Sequence, residues 1–195
     1  IVGVAEYRKG TRMNQSVDDS QESYEVSFSR EVSRGLSEKI QDHSATVGVI
    51  GLGYVGLPIA QAFSERGFSV LGFDVDPGKI DCLMDGRSYL KHIPDAGVSE
   101  MLDNEFTATA DYASLPRADA ILVCVPTPLD EHREPDTQYI EATANSIAEN
   151  LREGQLVVLE STSYPGTTRE LMRPILENSG LRAGEDFFLG YSPER

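Results

Sequence analysis

Residues 46–60 read TVGVIGLGYVGLPIA. A short apolar run, Val47 to Ile50, leads directly into Gly51-Leu52-Gly53-Tyr54-Val55-Gly56, and the apolar stretch that follows suits a helix. Strand, tight glycine turn and helix, in that order, are the parts that hold a pyrophosphate. Gly51 permits the sharp turn, Gly53 lets the backbone approach the phosphates, and Gly56 lets the helix pack close to the strand. The phosphates then sit at the helix N-terminus, where unpaired N–H groups and the helix dipole favour negative charge. A glycine triplet alone is weak evidence; the flanking pattern strengthens it.

Downstream of this turn, strands and helices alternate. Strand one is read at 46–51, with a helix from about Leu57 to Arg66 that Gly67 terminates. FSVLGFDV (68–75) reads as strand two and DPGKIDCLMDG as a helix, with another helix around Val98 to Asn104 before a short strand at Phe106 to Thr109. AILVCVP (120–126) is strand four, followed by a helix over Thr137 to Arg152 with Ile140, Ala144, Ile147 and Leu151 on one face. QLVVLEST (155–162), a helix from Thr167 to Asn178 and DFFLGYS (186–192) complete the series. Runs four and five are nearly continuous apolar sequence, as expected where helices cover both faces of a sheet. The fold class is therefore α/β: a doubly wound parallel (Rossmann) sheet with expected strand order 3-2-1-4-5-6.

Upstream, the pattern fails. Residues 1–43 are polar and Ser-rich and read as a flexible extension, with a short amphipathic helix at 29–42 spaced on Val32, Leu36 and Ile40. Residues 44–195 form the expected dinucleotide-binding domain. The chain begins at Ile1 rather than Met and stops at Arg195 just after an apolar run, so it is expected to be a piece of a longer protein.

Composition excludes several classes. With 32 acidic against 17 basic residues the formal charge is -15, which repels nucleic acid and anionic membrane surfaces alike. No apolar run is long enough to span a bilayer, and no basic-then-apolar leader is present, so the cytoplasm is the expected location. Cys124 lies inside ILVCV and reads as a buried small hydrophobe, whereas Cys82 sits in a helix with no histidine neighbour. His43, His92 and His132 are scattered through polar sequence, so no metal site is expected.

Strand two ends in Asp74, where a carboxylate accepts hydrogen bonds from the adenosine ribose hydroxyls. That charge favours NAD over NADP, whose 2′-phosphate it would repel. Asp76, just before Pro77, reads instead as a helix N-cap. Lys79 either reaches the adenosine side or is a solvated surface lysine. At the end of strand four, Pro126 and Pro128 stiffen a loop and leave the hydroxyl and amide of Thr127 to meet the cofactor. Strand five ends in the hydroxyl-rich turn Glu160 to Thr168, in which Thr167 or Thr168 reads as a cap of the next helix, while a hydroxyl cluster at a strand's carboxyl end beside the cleft is also where a reaction would be supported.

GLGYVGLP, GFDVD, VPTPLD, ESTSYPGTT and YSPER occur in the order and spacing of the UDP-glucose/GDP-mannose dehydrogenase family, and the chain resembles that family's N-terminal NAD-binding domain from about Ser44 to Arg195. The Tyr-Pro-Gly-Thr-Thr run, and Arg195 directly after Ser-Pro-Glu, look most like the UDP-N-acetylglucosamine or N-acetylmannosamine 6-dehydrogenases. UDP-glucose 6-dehydrogenase is the alternative enzyme, and a non-catalytic NAD-binding module the alternative outside enzymes.

The resemblance implies that Tyr54 and Val55 line the dinucleotide beside Gly51, Gly53 and Gly56, and that Thr127 contacts NAD near the ribose or nicotinamide. It implies that Thr162 helps position a catalytic water and that Glu194 performs acid/base work, with Glu194 and Arg195 near the sugar. It further implies oxidation of the C6 alcohol of a UDP-sugar to a carboxylate through a cysteine-bound thioester, using two NAD+. That cysteine belongs to the family's later domains; neither Cys82 nor Cys124 matches it. A homo-oligomer is expected of the full-length protein, and residues 1–195 alone are expected to bind NAD weakly and turn over nothing.

Overall fold

The computed structural model describes residues 33–128 and 135–192. Its strands are β1 (Thr46–Ile50), β2 (Ser69–Phe73), β3 (Phe106–Thr109), β4 (Ala120–Val123), β5 (Leu156–Leu159) and β6 (Phe188–Tyr191). They form one sheet in the order β3-β2-β1-β4-β5-β6, every pair parallel. The expected order is the observed one. The strands stop earlier than their apolar runs: β4 ends at Val123 rather than Pro126, because its neighbour β1 ends opposite it at Ile50 and the chain turns away at Gly51 with φ +90.

Alternation along each strand divides the interior into two cores. Val47 and Val49 of β1, Val70 of β2 and Leu122 of β4 face one side. There they meet Leu57 and Ala60 of α2 (Gly56–Ser64), Leu83 of α3 (Pro77–Met84), and Val98 and Met101 of α4 (Asp95–Asp103). Ile50, Leu71, Phe73, Ile121 and Val123 face the other side. They pack on Ile140, Ala144 and Ile147 of α5 (Gln138–Ala148) and on Leu176 of α6 (Arg173–Leu176). Each fully buried Leu, Ile or Phe contributes roughly 1.5–3 kcal/mol relative to exposure. Strand β4 is buried at every position, whereas β5 alternates, with Leu156 and Val158 only half covered. The expectation of full cover therefore holds for β4 and not for β5.

Two local features depart from the sequence pattern. The stretch expected as one helix over Thr167 to Asn178 opens with a wide π turn at Thr167–Met172, passes through α6 and closes as a 3-10 turn at Glu177–Ser179. Pro174 lacks the N–H that would bond the carbonyl four residues back, which favours such irregular winding. Between β3 and β4 a 3-10 helix spans Tyr112–Arg117, where no element was expected.

Residues 33–41 form a helix, here α1, and residue 42 lies in the turn after it; residues 29–32 of the expected 29–42 helix and the extension before them lie outside the described residues. Helix α1 is held mainly by polar contacts at the amino end of the sheet. Lys39 Nζ pairs with Asp119 at 2.9 Å, and the Ala45 N–H donates to the Lys39 carbonyl at 3.0 Å. Among the described residues, no helix is long and apolar enough to cross a membrane.

Candidate functional site: a cleft at the carboxyl ends of the strands

The glycine turn leaves β1 at the point where strand order reverses between β1 and β4, the position at which ligands meet doubly wound sheets. Gly51 adopts φ +90, and a Cβ there would lie 2.7 Å from the Cys124 carbonyl oxygen. A Cβ on Gly56 would lie 1.9 Å from the Gly51 carbonyl oxygen. Both positions admit only glycine: Gly51 because its φ is positive and the backbone beyond β4 lies against it, Gly56 because α2 is drawn tightly against the strand it follows. Around Gly53, by contrast, no described atom lies within 4 Å of a built Cβ. Gly53 lines the cleft, so the space beside it is available to a ligand. No side chain caps the start of α2; Pro58 has no N–H, and the Leu57 and Ile59 N–H groups donate to the Gly53 and Val55 carbonyls at 3.1 and 3.2 Å.

The cleft has a volume of about 490 Å³. Gly51, Gly53, Tyr54 and Val55 form its floor; Asp74, Val75 and Lys79 line it beyond β2; Val125 and Pro126 line it beyond β4. Of the sequence-assigned residues, Gly51, Gly53, Tyr54, Val55, Asp74 and Lys79 thus line one cavity, whereas Gly56, Thr127 and Thr162 do not. Tyr139, Ala142 and Thr143 of α5 and Tyr112 also line it, and none of these was recognised in the sequence. The core-facing stripe of α5 was legible, but its neighbouring positions carry no pattern that marks a cleft.

Asp74 is 6% exposed. Its Oδ2 accepts from the Leu52 N–H at 2.9 Å and from Lys79 Nζ at 2.8 Å, and its Oδ1 accepts from the Asp76 N–H at 3.0 Å. Lys79 lines the cleft on the β2 side and pairs there with Asp74. Asp76 Oδ1 accepts from the Gly78 N–H at 2.8 Å, the N-cap that its place before Pro77 suggested. Burial raises the phenol pKa of Tyr112 and of Tyr89, and the Asp74 charge adds to both, so each stays a neutral O–H donor.

On the other side of the β1–β4 boundary, hydroxyls lace the loops together. Ser161 Oγ donates to the Val125 carbonyl at 2.6 Å, and Thr127 Oγ1 donates to the Thr162 carbonyl at 2.6 Å. Thr127 and Thr162 are therefore neighbours beyond β4 and β5, with the Thr162 residue exposed. Thr167 Oγ1 donates to the Tyr164 carbonyl at 2.8 Å, within the turn that opens the last helical stretch. Glu194 and Arg195 lie outside the described residues.

The sequence model described as the UDP-glucose/GDP-mannose dehydrogenase family, NAD binding domain, matches residues 45–195. The chain belongs to that family. Its matched region is the family's NAD-binding domain, so the cofactor is NAD, and the glycine positions, the open space at Gly53 and the carboxylate beyond β2 fit such a group.

The chain is 43% identical over 150 residues to the UDP-N-acetyl-D-glucosamine 6-dehydrogenase of Pseudomonas aeruginosa, covering 76% of this chain and 35% of that protein. Among solved structures, the UDP-D-ManNAc dehydrogenase from Pyrococcus horikoshii superposes with a TM-score of 0.72 at 37% identity, covering 77% of this chain and 36% of that one. The NDP-N-acetyl-D-galactosaminuronic acid dehydrogenase from Methanosarcina mazei gives a TM-score of 0.73 at 34% identity, covering 82% and 37%. The chain spans little more than a third of these relatives.

Proposed function

We propose that this chain is the NAD-binding part of a UDP-N-acetylhexosamine 6-dehydrogenase that oxidises the sugar's C6 alcohol to the carboxylate. Asp74 accepts hydrogen bonds from the adenosine ribose hydroxyls, while the glycine turn and the start of α2 take the pyrophosphate. Bound NAD+ supplies the hydride acceptor. The observation that carries the reading is the pairing of Thr127 with Thr162 across the ends of β4 and β5. It joins the loops beyond β4 and β5 next to Val125 and Pro126, which line the cleft, on the side of the β1–β4 boundary away from Asp74, where the reacting end of a dinucleotide anchored at β2 would lie. There Thr127 orients the nicotinamide half, Thr162 helps position a water, and Glu194 and Arg195 act on the sugar side. The similarity to the Pseudomonas enzyme supports the N-acetylhexosamine class.

The test is NADH formation by the full-length protein supplied separately with UDP-N-acetylglucosamine, UDP-N-acetylmannosamine and UDP-glucose. Two NADH per sugar from an N-acetylhexosamine, and far slower turnover of UDP-glucose, are expected. Preference for UDP-glucose would reassign the substrate. NAD binding without turnover of any of the three would mark a non-catalytic module.

A further inference from the structure

The connection from α3 to α4, residues 85–94, folds back over the glycine turn. Tyr89 donates its hydroxyl to the Leu52 carbonyl at 2.5 Å, and the His92 ring stacks on Tyr54 with centroids 6.0 Å apart and planes 24° apart. The connection is itself anchored. Leu90 and Ile93 are buried in the first core, and the Ser88 N–H donates to Asp95 Oδ1 at 2.8 Å. Leu52 is held at three points: its N–H by Asp74, its carbonyl by Tyr89, and its fully buried side chain by the core.

The Leu52 carbonyl and the Gly53 N–H belong to the same peptide plane and, in a trans peptide, point in opposite directions. Fixing that carbonyl therefore fixes where the Gly53 N–H points. The control matters because the plane runs into a glycine, whose φ is barely restricted, so the peptide would otherwise rotate at little cost. Gly53 lines the cleft and Tyr89 does not, so the carbonyl is directed away from the cleft.

We infer that Tyr89 is a positioning residue of the NAD site: its hydroxyl holds the Leu52–Gly53 peptide so that the Gly53 N–H is presented to the cofactor pyrophosphate before NAD arrives. A turn already set in its binding orientation avoids the ordering cost that a free glycine peptide would add on binding. This inference rests on NAD occupying the glycine turn.

The experiment is NAD+ titration by calorimetry of the full-length protein and its Tyr89→Phe variant, with thermal melting of both in the absence of NAD. A control, Ser179→Ala, removes a hydroxyl-to-carbonyl bond of 2.6 Å to Leu176, remote from the cleft. The expected result is an NAD affinity about fivefold weaker in Tyr89→Phe, the size of one net hydrogen bond, and unchanged in Ser179→Ala. If Tyr89 served the fold alone, both variants would melt earlier and bind NAD like the parent, and the inference would fall. A parent protein that bound no NAD would overturn the assignment of the cofactor as well.

Discussion

Two buried aspartates stand at opposite ends of the sheet with similar surroundings and different consequences. Asp74, beyond the carboxyl end of β2, accepts from two backbone N–H groups and Lys79. Asp119, immediately before β4 at the amino end, accepts from the Thr46 N–H at 3.0 Å, from Lys39 at 2.9 Å and from Arg152 at 2.8 Å. Each is 6% exposed. Only Asp74 lines the cleft. The bonds of Asp119 tie α1, the start of β1 and the loop before β5 to one point. Those of Asp74 join the glycine turn to the strand beside it. Burial and charge do not separate these two carboxylates; the end of the sheet on which each stands does, and the carboxyl end is where ligands meet such sheets.

The largest expected effect lies at the structural end. Asp119→Ala leaves the Thr46 N–H without its acceptor and removes the partner of two half-exposed cations, Lys39 and Arg152, and should lower stability by about 2 kcal/mol, most of it from the unmet N–H. Urea unfolding measures it, and NAD affinity in the folded protein should not change. A large fall in that affinity would erase the distinction between the two aspartates.

Next in size is Asp74→Ala, which should weaken NAD binding at least tenfold, about the loss of one hydrogen bond to a charged group. Calorimetry reads it directly. If stability fell while affinity held, Asp74 would be a second structural clasp and its ribose role would be wrong.

The smallest effect is the response to acid. Burial alone would raise the Asp119 pKa, but Lys39, the Thr46 N–H and Arg152 together outweigh it and hold the carboxyl below its ordinary 3.8. A carboxyl lowered in the folded state adds stability above its unfolded pKa and loses it as pH falls through the folded value. The stability difference between the parent and Asp119→Asn should therefore stay constant from neutral pH down to about 5 and shrink below about 4. A gap that persisted into stronger acid would show that the carboxylate's charge is not what holds this end together.

How much of this was legible follows from the range over which each feature is encoded. The glycine turn, the Asp76 cap and the C-terminal glycine of α2, Gly67 with φ +83, are encoded within a few adjacent residues. The strand order followed from right-handed crossovers joining apolar runs. Tyr89 was invisible because it sits in a polar connection and meets Leu52 only through the fold. The Asp119 clasp draws on residues 39, 46 and 152, and no spacing in the chain announces it. Lys79 was within sight, yet its pairing with Asp74 depended on the angle at which α3 leaves β2.

The sequence by itself determined the layered α/β class, the strand order, the dinucleotide turn and the presence of a carboxylate after β2, since these rest on local periodicity and on backbone freedom that only glycine has. Tertiary structure alone decided which aspartate faces the cleft, how Thr127 and Thr162 come together, and what steadies the turn at Leu52. Those contacts join residues far apart in the chain, and a directional hydrogen bond exists only once packing has placed donor and acceptor within reach.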